Sequence, residues 1–286
     1  MGDNDTIHDL LNLWYDFENE LIYGNRFFPK TDTLLCMIKE LTPILESSFE
    51  EGFDWYRARE FNVNKYNPND YDSLSEDEWE NENNKFLDTL LFYNASMKSE
   101  NLNTILKSKY KENTRSSVWG YSKKDSGIPP RDYAGVNRAS PRYISYLYLA
   151  DNIDTALAEV RAQVGQPISV AKYRLLKTLK IVDLCRIHEV FNDKSSYTEL
   201  FLCIQINKAF SSPAISSDKD YLVSQYIAEF IKTLGYDGIA FDSARNFGGI
   251  NLTLFDDSEC DFLGSEVHEV TSIKIKSKRI LPPQSD

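Results

Sequence analysis

Residues Pro129–Arg161 read PPRDYAGVNRASPRYISYLYLADNIDTALAEVR, and their patterning decides the fold class. In ISYLYLA, Ile144, Tyr146, Tyr148 and Ala150 fall on one face and Ser145, Leu147 and Leu149 on the other, the period-two alternation of a strand. A helix over TALAEVRAQV follows at once, capped by Asp154 or Thr155 and ended by Gly165 and Pro167. Downstream, ISVAKYRL and LKIVDLC read as strands and SDKDYLVSQYIAEFIKTLG as a long helix with Gly235 just past its end. YDGIAFDS, INLTLF and VTSIKIK read as further strands. Together these predict an α+β arrangement.

The same stretch gathers chemistry: Arg138, a tyrosine-bearing strand and Glu159 on the following helix. A second segment, GYDGIAFDSARNFGGINLTLF from Gly235 to Phe255, adds Ser243 at a strand end before Gly248-Gly249, and YRAR at Tyr56–Arg59 adds Arg57 and Arg59. Arginine, tyrosine, glutamate and serine without a suitably spaced histidine suit the binding of an anionic nucleotide and cleavage of a glycosidic bond in it. Each residue also has a plainer reading. A helix glutamate usually faces solvent, yet Glu159 is followed at i+3 and i+4 by Ala162 and Gln163, so no cation offers the usual surface pair. Arg57 and Arg138 could make structural ion pairs in an acidic chain, Tyr146 and Tyr148 could be core, and Gly248-Gly249 could be a hairpin turn or a close ligand approach. Asn251 and Gln225 are candidate supporting groups.

YRAR, the Trp119–Phe255 region and the helix ending SQYIAEFIKTLGYDGI resemble the RES-domain family, named for its arginine, glutamate and serine. Arg57 matches the family's first arginine, with Arg59 a competitor for that role; Arg138 matches the arginine of its Gly-Arg-Ala-Asn stretch, Tyr148 its strand tyrosine, Glu159 its glutamate and Ser243 its serine. Asn137, Ser140 and Tyr143 depart from the family's glycine, asparagine and glycine, which bears on loop shape more than on the charged positions. The resemblance implies a mixed-sheet core similar to the ADP-ribosyltransferase toxin fold. It also implies an NAD-degrading toxin, with NAD as substrate and no further cofactor, a cognate Xre-like antitoxin from a neighbouring gene, and a role in growth arrest or phage defence.

In that reading Arg57 and Arg138 grip the pyrophosphate, whose oxygens a guanidinium fork matches and a lysine does not. Tyr148 or Tyr146 stacks on nicotinamide or adenine. Glu159 stabilises the oxocarbenium-like ribose as nicotinamide leaves, and Ser243 orients the ribose or the nicotinamide. Water or phosphate as acceptor gives a glycohydrolase or a phosphorylase, a protein or nucleotide acceptor gives an ADP-ribosyltransferase, and a catalytically inactive NAD-binding or interaction module is the alternative of another class.

The net charge of −12 argues against direct nucleic-acid binding, which needs a broad basic face. It does not repel a nucleotide, because distant charges are screened beyond about 8 Å at physiological salt and local arginines decide. Cys36, Cys185, Cys203 and Cys260 are scattered without a C-x-x-C pair, so neither a disulfide framework nor a metal site is expected. No apolar run approaches the roughly 20 residues of a membrane span and the N-terminus lacks a secretory pattern, so a soluble, cytoplasmic protein is expected.

Residues 1–52 are expected to form a helical extension, similar to that of HEPN/RES N-terminal proteins but without an R-x4–6-H ribonuclease signature. Leu10, Leu11, Trp14, Phe17 and Leu21 form one stripe, and a second helix runs from Asp32 through about Phe49. The stripe must be buried against the catalytic core or a second copy of it, which leaves a homodimer open. Residues 53–270 form the catalytic domain, with an insertion over about 61–126 that opens with the acidic NPNDYDSLSEDEWENENN, turns helical at KFLDTLLFY and NLNTILKSKY, and packs on the core. Residues 271–286 form a C-terminal strand and tail.

Overall fold

The computed structural model describes residues 2–62, 120–187, 197–212 and 218–274. Its centre is an eight-stranded mixed sheet, confirming the α+β reading. In chain order the strands are β1 (Glu46–Phe49), β2 (Asp54–Glu60), β3 (Leu147–Ala150), β4 (Pro167–Leu175), β5 (Leu179–Asp183), β6 (Gly238–Asp242), β7 (Ile250–Leu254) and β8 (Cys260–Glu269). Across the sheet they run β1-β5-β6-β7-β3-β2-β4-β8. Among the described residues only β5 and β6 are parallel neighbours. The described helices are α1 (Gly2–Tyr23), α2 (Asp32–Leu41), α3 (Lys123–Ser126), α4 (Ile153–Glu159), α5 (Tyr197–Ser211) and α6 (Leu222–Thr233). Among the described residues no helix is long and apolar enough to cross a membrane.

The alternation of ISYLYLA sorts its side chains between two cores. Tyr146 and Tyr148 pack with Phe17, Leu21, Ile38, Phe210, Ile227 and Phe241 on the helical side, whereas Leu147 and Leu149 pack with Trp55, Tyr173, Ile181 and Leu252 on the other. The N-terminal stripe joins the first of these: Trp14, Phe17 and Leu21 of α1 and Leu34, Ile38 and Leu41 of α2 are buried in it. These helices therefore dock on the same core that carries Tyr146 and Phe241.

Four local expectations are corrected. The second helix stops at Leu41 rather than near Phe49, because Pro43 follows its cap Thr42 and disfavours further helix. Glu46–Phe49 instead forms an edge strand paired with Leu179–Val182. The cap of α4 is Asn152, whose side chain accepts from Thr155 N at 2.8 Å, and not Asp154 or Thr155. That helix also ends early, at Glu159, well short of Gly165. Among the described residues the last strand is Cys260–Glu269, and the described part of VTSIKIK, residues 270–274, carries no strand. β8 uses up the whole of β4, from Leu175↔Cys260 to Pro167↔Glu269, and Val270 closes the edge through Gly165 N to Val270 O (2.8 Å) and Val270 N to Gln166 O (3.4 Å). Residues 275–286 of the expected strand and tail lie outside the described ones.

Of the expected insertion, residues 63–119 lie outside the described ones, including both expected helices. Its described ends pack on the sheet through Tyr121, whose backbone N donates to Ser169 Oγ (2.8 Å) and whose hydroxyl donates to the Glu60 carbonyl (3.1 Å).

One feature of the sheet positions the site. β2 pairs with β4 along its whole length, Asp54 to Glu60, but meets β3 at a single couple, Tyr56↔Ala150. Beyond that point β2 and β3 part, and Arg57 Nη1 reaches across to donate to the Tyr148 carbonyl at 3.1 Å. A cavity opens where they part.

Candidate active site

The cavity, about 710 Å³, is lined by Tyr56–Glu60 of β2, by Tyr148, Leu149 and Ala150 of β3, and by Glu159 at the end of α4. A volume of this size suits a small-molecule ligand. Among the described residues its charged lining comprises Arg57, Arg59, Arg138, Arg161 and Arg245 and the carboxylates of Glu60, Asp125 and Glu159, with no lysine. A chain of net charge −12 thus concentrates arginines here, the side chain that grips phosphate as a fork.

Glu159 is held by one oxygen. Ser243 Oγ donates to Glu159 Oε1 at 2.6 Å and Asn251 Nδ2 donates to the same atom at 2.8 Å. Asn251 is 9% exposed, fixed on β7 between Ala150 and Phe241. Ser243, just past β6, accepts on its Oγ from the backbone N of Arg245 (3.2 Å) and Asn246 (3.1 Å). Its one hydroxyl proton is thereby directed at the glutamate, which it positions. Oε2 is left with Arg245 Nε at 3.9 Å. Gly248-Gly249 serves packing: Gly248 takes φ 82°, and a β-carbon on Gly249 would collide with the Thr155 side chain at the start of α4. Thr155 Oγ1 also accepts from Asn246 Nδ2 at 2.9 Å, tying the serine loop to the glutamate helix.

The arginines differ in how far the protein already uses them. Burial pushes the Arg57 guanidinium down to about 10, with the neighbouring charge of Arg59 adding to the effect; it stays charged at neutral pH. Arg59 Nη2 donates to the Gly127 carbonyl at 2.6 Å, while its buried Nε has no hydrogen-bond partner among the described residues. Both line the cavity, and Arg57 is the one at the parting of the strands. Arg138 donates through Nη1 to Ala209 O (3.1 Å) and through Nη2 to Ser212 O (2.7 Å), capping the C-terminus of α5, and lies 5.4 Å from the Tyr221 ring. Arg161 and Arg245 at the rim were not singled out from the sequence, although both stand in the quoted segments.

Tyr148 lines the cavity. Its hydroxyl accepts from Ala139 N at 3.1 Å and meets Ser140 Oγ at 2.9 Å, and burial pushes it up to about 12, so it is a neutral phenol at pH 7. The expectation that Tyr146 shares this role is corrected. Its ring is 2% exposed, its hydroxyl donates to the Glu229 carboxylate, Lys232 Nζ lies 4.8 Å from its centroid, and it is not part of the cavity lining. Burial raises its pKa.

The Arg138 loop is pinned by α6. Ser224 Oγ donates to the Arg138 carbonyl (2.6 Å), and Gln225 Nε2 donates to the carbonyls of Asn137 (2.7 Å) and Ser140 (3.2 Å). Tyr143, where the family resemblance has glycine, adopts φ 71° and is 60% exposed. A left-handed backbone costs a bulky residue about 1–2 kcal/mol. Tyr143→Gly is therefore expected to raise stability by about 1 kcal/mol, read as a higher urea midpoint at unchanged m-value. A lower midpoint would show that the exposed ring makes a contact worth more than the strain.

A family model described as the RES domain matches residues 107–276, which takes in Arg138, Glu159 and Ser243 but not YRAR. No curated protein matches. Among solved structures, the chain is similar to one in the crystal structure of the M. tuberculosis MbcT–MbcA toxin–antitoxin complex, at 9% identity and a TM-score of 0.36, covering 82% of this chain and 92% of that one. With the family match spanning more than half of its length and containing the arginine, glutamate and serine brought together here, the chain belongs to the RES-domain family.

Proposed function

We propose that this protein cleaves the nicotinamide–ribose bond of NAD. The observation that carries the reading is the Glu159 carboxylate, anchored through Oε1 by Ser243 and Asn251 with Oε2 left for a ligand, beside a cavity lined by Arg57, Arg59, Arg138, Arg161 and Arg245. Nicotinamide in NAD is a cationic leaving group and needs no acid. As the C1′–N bond breaks, the electron pair leaves with neutral nicotinamide and positive charge develops on the ribose. A fixed carboxylate beside that charge stabilises it without reorganising, an effect worth roughly 3–4 kcal/mol for a single preorganised group. Arg57 and its neighbours neutralise the pyrophosphate, and Tyr148 supplies an apolar wall. Water or inorganic phosphate then captures C1′ and loses a proton to solvent. NAD depletion restrained by a cognate antitoxin is the biological role that this reading carries with it.

A transfer reading has one observation in its favour: the Glu159 side chain is 35% exposed, open enough to admit a macromolecular acceptor. Products separate the two. Purified protein incubated with NAD in phosphate-free buffer and in phosphate is expected to give nicotinamide together with ADP-ribose or its anomeric phosphate ester. A mass increment on a protein or nucleotide, with no free ADP-ribosyl product, would replace hydrolysis by transfer.

Ser243→Ala separates positioning from binding. Loss of one donor to Oε1 is expected to lower kcat about 10- to 100-fold and leave KM within about threefold, since Asn251 still holds the carboxylate and no ligand contact is lost. A rise in KM at unchanged kcat would show that Ser243 touches the substrate.

A further inference from the structure

Arg161 stands apart from the other cavity arginines. It is the first residue past the cap of α4: Ala162 N donates to Leu157 O (3.3 Å) and Arg161 N to Ala158 O (3.1 Å), the pair of bonds that closes a helix on a left-handed residue. Its φ is 54°. This position favours glycine, which has no β-carbon to strain. An arginine occupies it instead, two residues after Glu159, exposed and on the cavity lining.

Among the described residues nothing offsets that strain. Arg57, Arg59 and Arg138 each donate to a backbone carbonyl, and Arg245 lies beside Glu159. Among the described residues the Arg161 side chain makes no hydrogen bond or ion pair, although Glu60, Asp125 and Glu159 line the same cavity. All five of its donors are uncommitted. Backbone strain that nothing nearby offsets, placed at a cavity mouth, is the pattern of a ligand clamp.

We propose that Arg161 is a substrate-binding residue that grips a phosphate of the dinucleotide. This rests on the reading that NAD is the substrate. It also redistributes the clamp expected from the sequence: the Arg138 fork already holds the end of α5, so an uncommitted guanidinium at the rim supplies phosphate contacts that Arg138 does not. A guanidinium on a phosphate makes charge-assisted bonds, and losing them weakens binding about tenfold to a hundredfold.

The test is Arg161→Gly beside Arg161→Lys, with three readouts. Arg161→Gly is expected to raise Tm by about 2–4 °C, because the left-handed strain is relieved. It should also raise KM for NAD at least about tenfold with kcat within about threefold, and leave kcat/KM for nicotinamide riboside, which lacks the pyrophosphate, unchanged. Arg161→Lys keeps the charge but not the fork, so it should give an intermediate KM and no gain in Tm. A glycine variant that turns over NAD with parental KM overturns the assignment, as does an equal loss on nicotinamide riboside. Binding of ADP by calorimetry separates the two layers. If the parent cleaves no NAD yet binds ADP, and Arg161→Gly weakens that binding tenfold, the phosphate site stands and the reaction reading falls. Equal ADP affinity in parent and variant overturns the site, and absence of ADP binding to the parent overturns both.

Discussion

Glu159→Gln is expected to lower the rate of nicotinamide release about 100- to 1,000-fold while leaving Tm and nucleotide affinity close to those of the parent. Glutamine keeps the shape and keeps an oxygen in the Oε1 position to accept from Ser243 and Asn251, so the local network survives. What changes is Oε2, where an uncharged amide replaces the carboxylate oxygen. Ground-state binding depends on arginines and surfaces that the substitution does not touch, whereas the transition state loses the charge that faces the developing cation. Single-turnover measurement of free nicotinamide, with Tm and ADP affinity recorded on the same preparation, checks the result. A loss of less than about tenfold would remove Glu159 from the catalytic role.

Removing residues 1–45 is expected to leave a chain that does not fold. Leu10, Trp14, Phe17, Leu21, Leu34, Ile38, Leu41 and Leu45 are all buried, and most lie in the same cluster as Tyr146, Ile227, Ile239 and Phe241. Burial of each large side chain contributes roughly 1.5–3 kcal/mol, and the sum is comparable to the whole stability of a domain, about 5–15 kcal/mol. The truncation would also expose the partners of these residues on α5 and α6. Phe17→Ala probes the same contact in a chain that still folds: Phe17 is 1% exposed and packs edge-on against Trp14 and Tyr226, and its loss is expected to cost about 3–5 kcal/mol. A truncated protein with parental melting temperature would show that the helices form an independent module.

How much of this was legible in the sequence follows from what each feature depends on. The period-two pattern at Tyr146–Leu149 is a local consequence of backbone geometry, and the two cores it implies are both present. The stripe of α1 was readable for the same reason, except that Leu11 is 48% exposed and lies off it. Glu46–Phe49 was misread as helix because ESSF has no strong preference of its own; its conformation is set by the edge of β5, a partner far away in the chain. β8 was missed because Gly264 (φ 126°) and the irregular register between Lys172 and Tyr173 interrupt its alternation. α5 was missed altogether, since LFLCIQI reads equally well as a strand or a buried helix.

At the site, Glu159 and Ser243 were named from sequence and stand 2.6 Å apart, 84 residues distant in the chain. Asn251 and Gln225 were noted only as supporting groups, and each makes the contact such a role needs. The alternation alone did not separate Tyr146 from Tyr148, and Tyr148 was favoured by its position and by the resemblance; the parting of β2 from β3 near Ala150 is what brings its ring to the cavity. The commitment of Arg138 to the end of α5 was invisible for a similar reason: it depends on carbonyls more than 70 residues away.

The most direct test of the central claim is the time course of free nicotinamide when purified full-length protein is mixed with NAD and sampled by chromatography, beside Glu159→Gln at equal concentration. Nicotinamide is expected to accumulate in step with the loss of NAD over many turnovers, with the variant slower by at least about 100-fold. NAD that stays intact in the presence of parent protein shown to bind ADP would contradict the claim that this carboxylate and its arginine-lined cavity break the glycosidic bond.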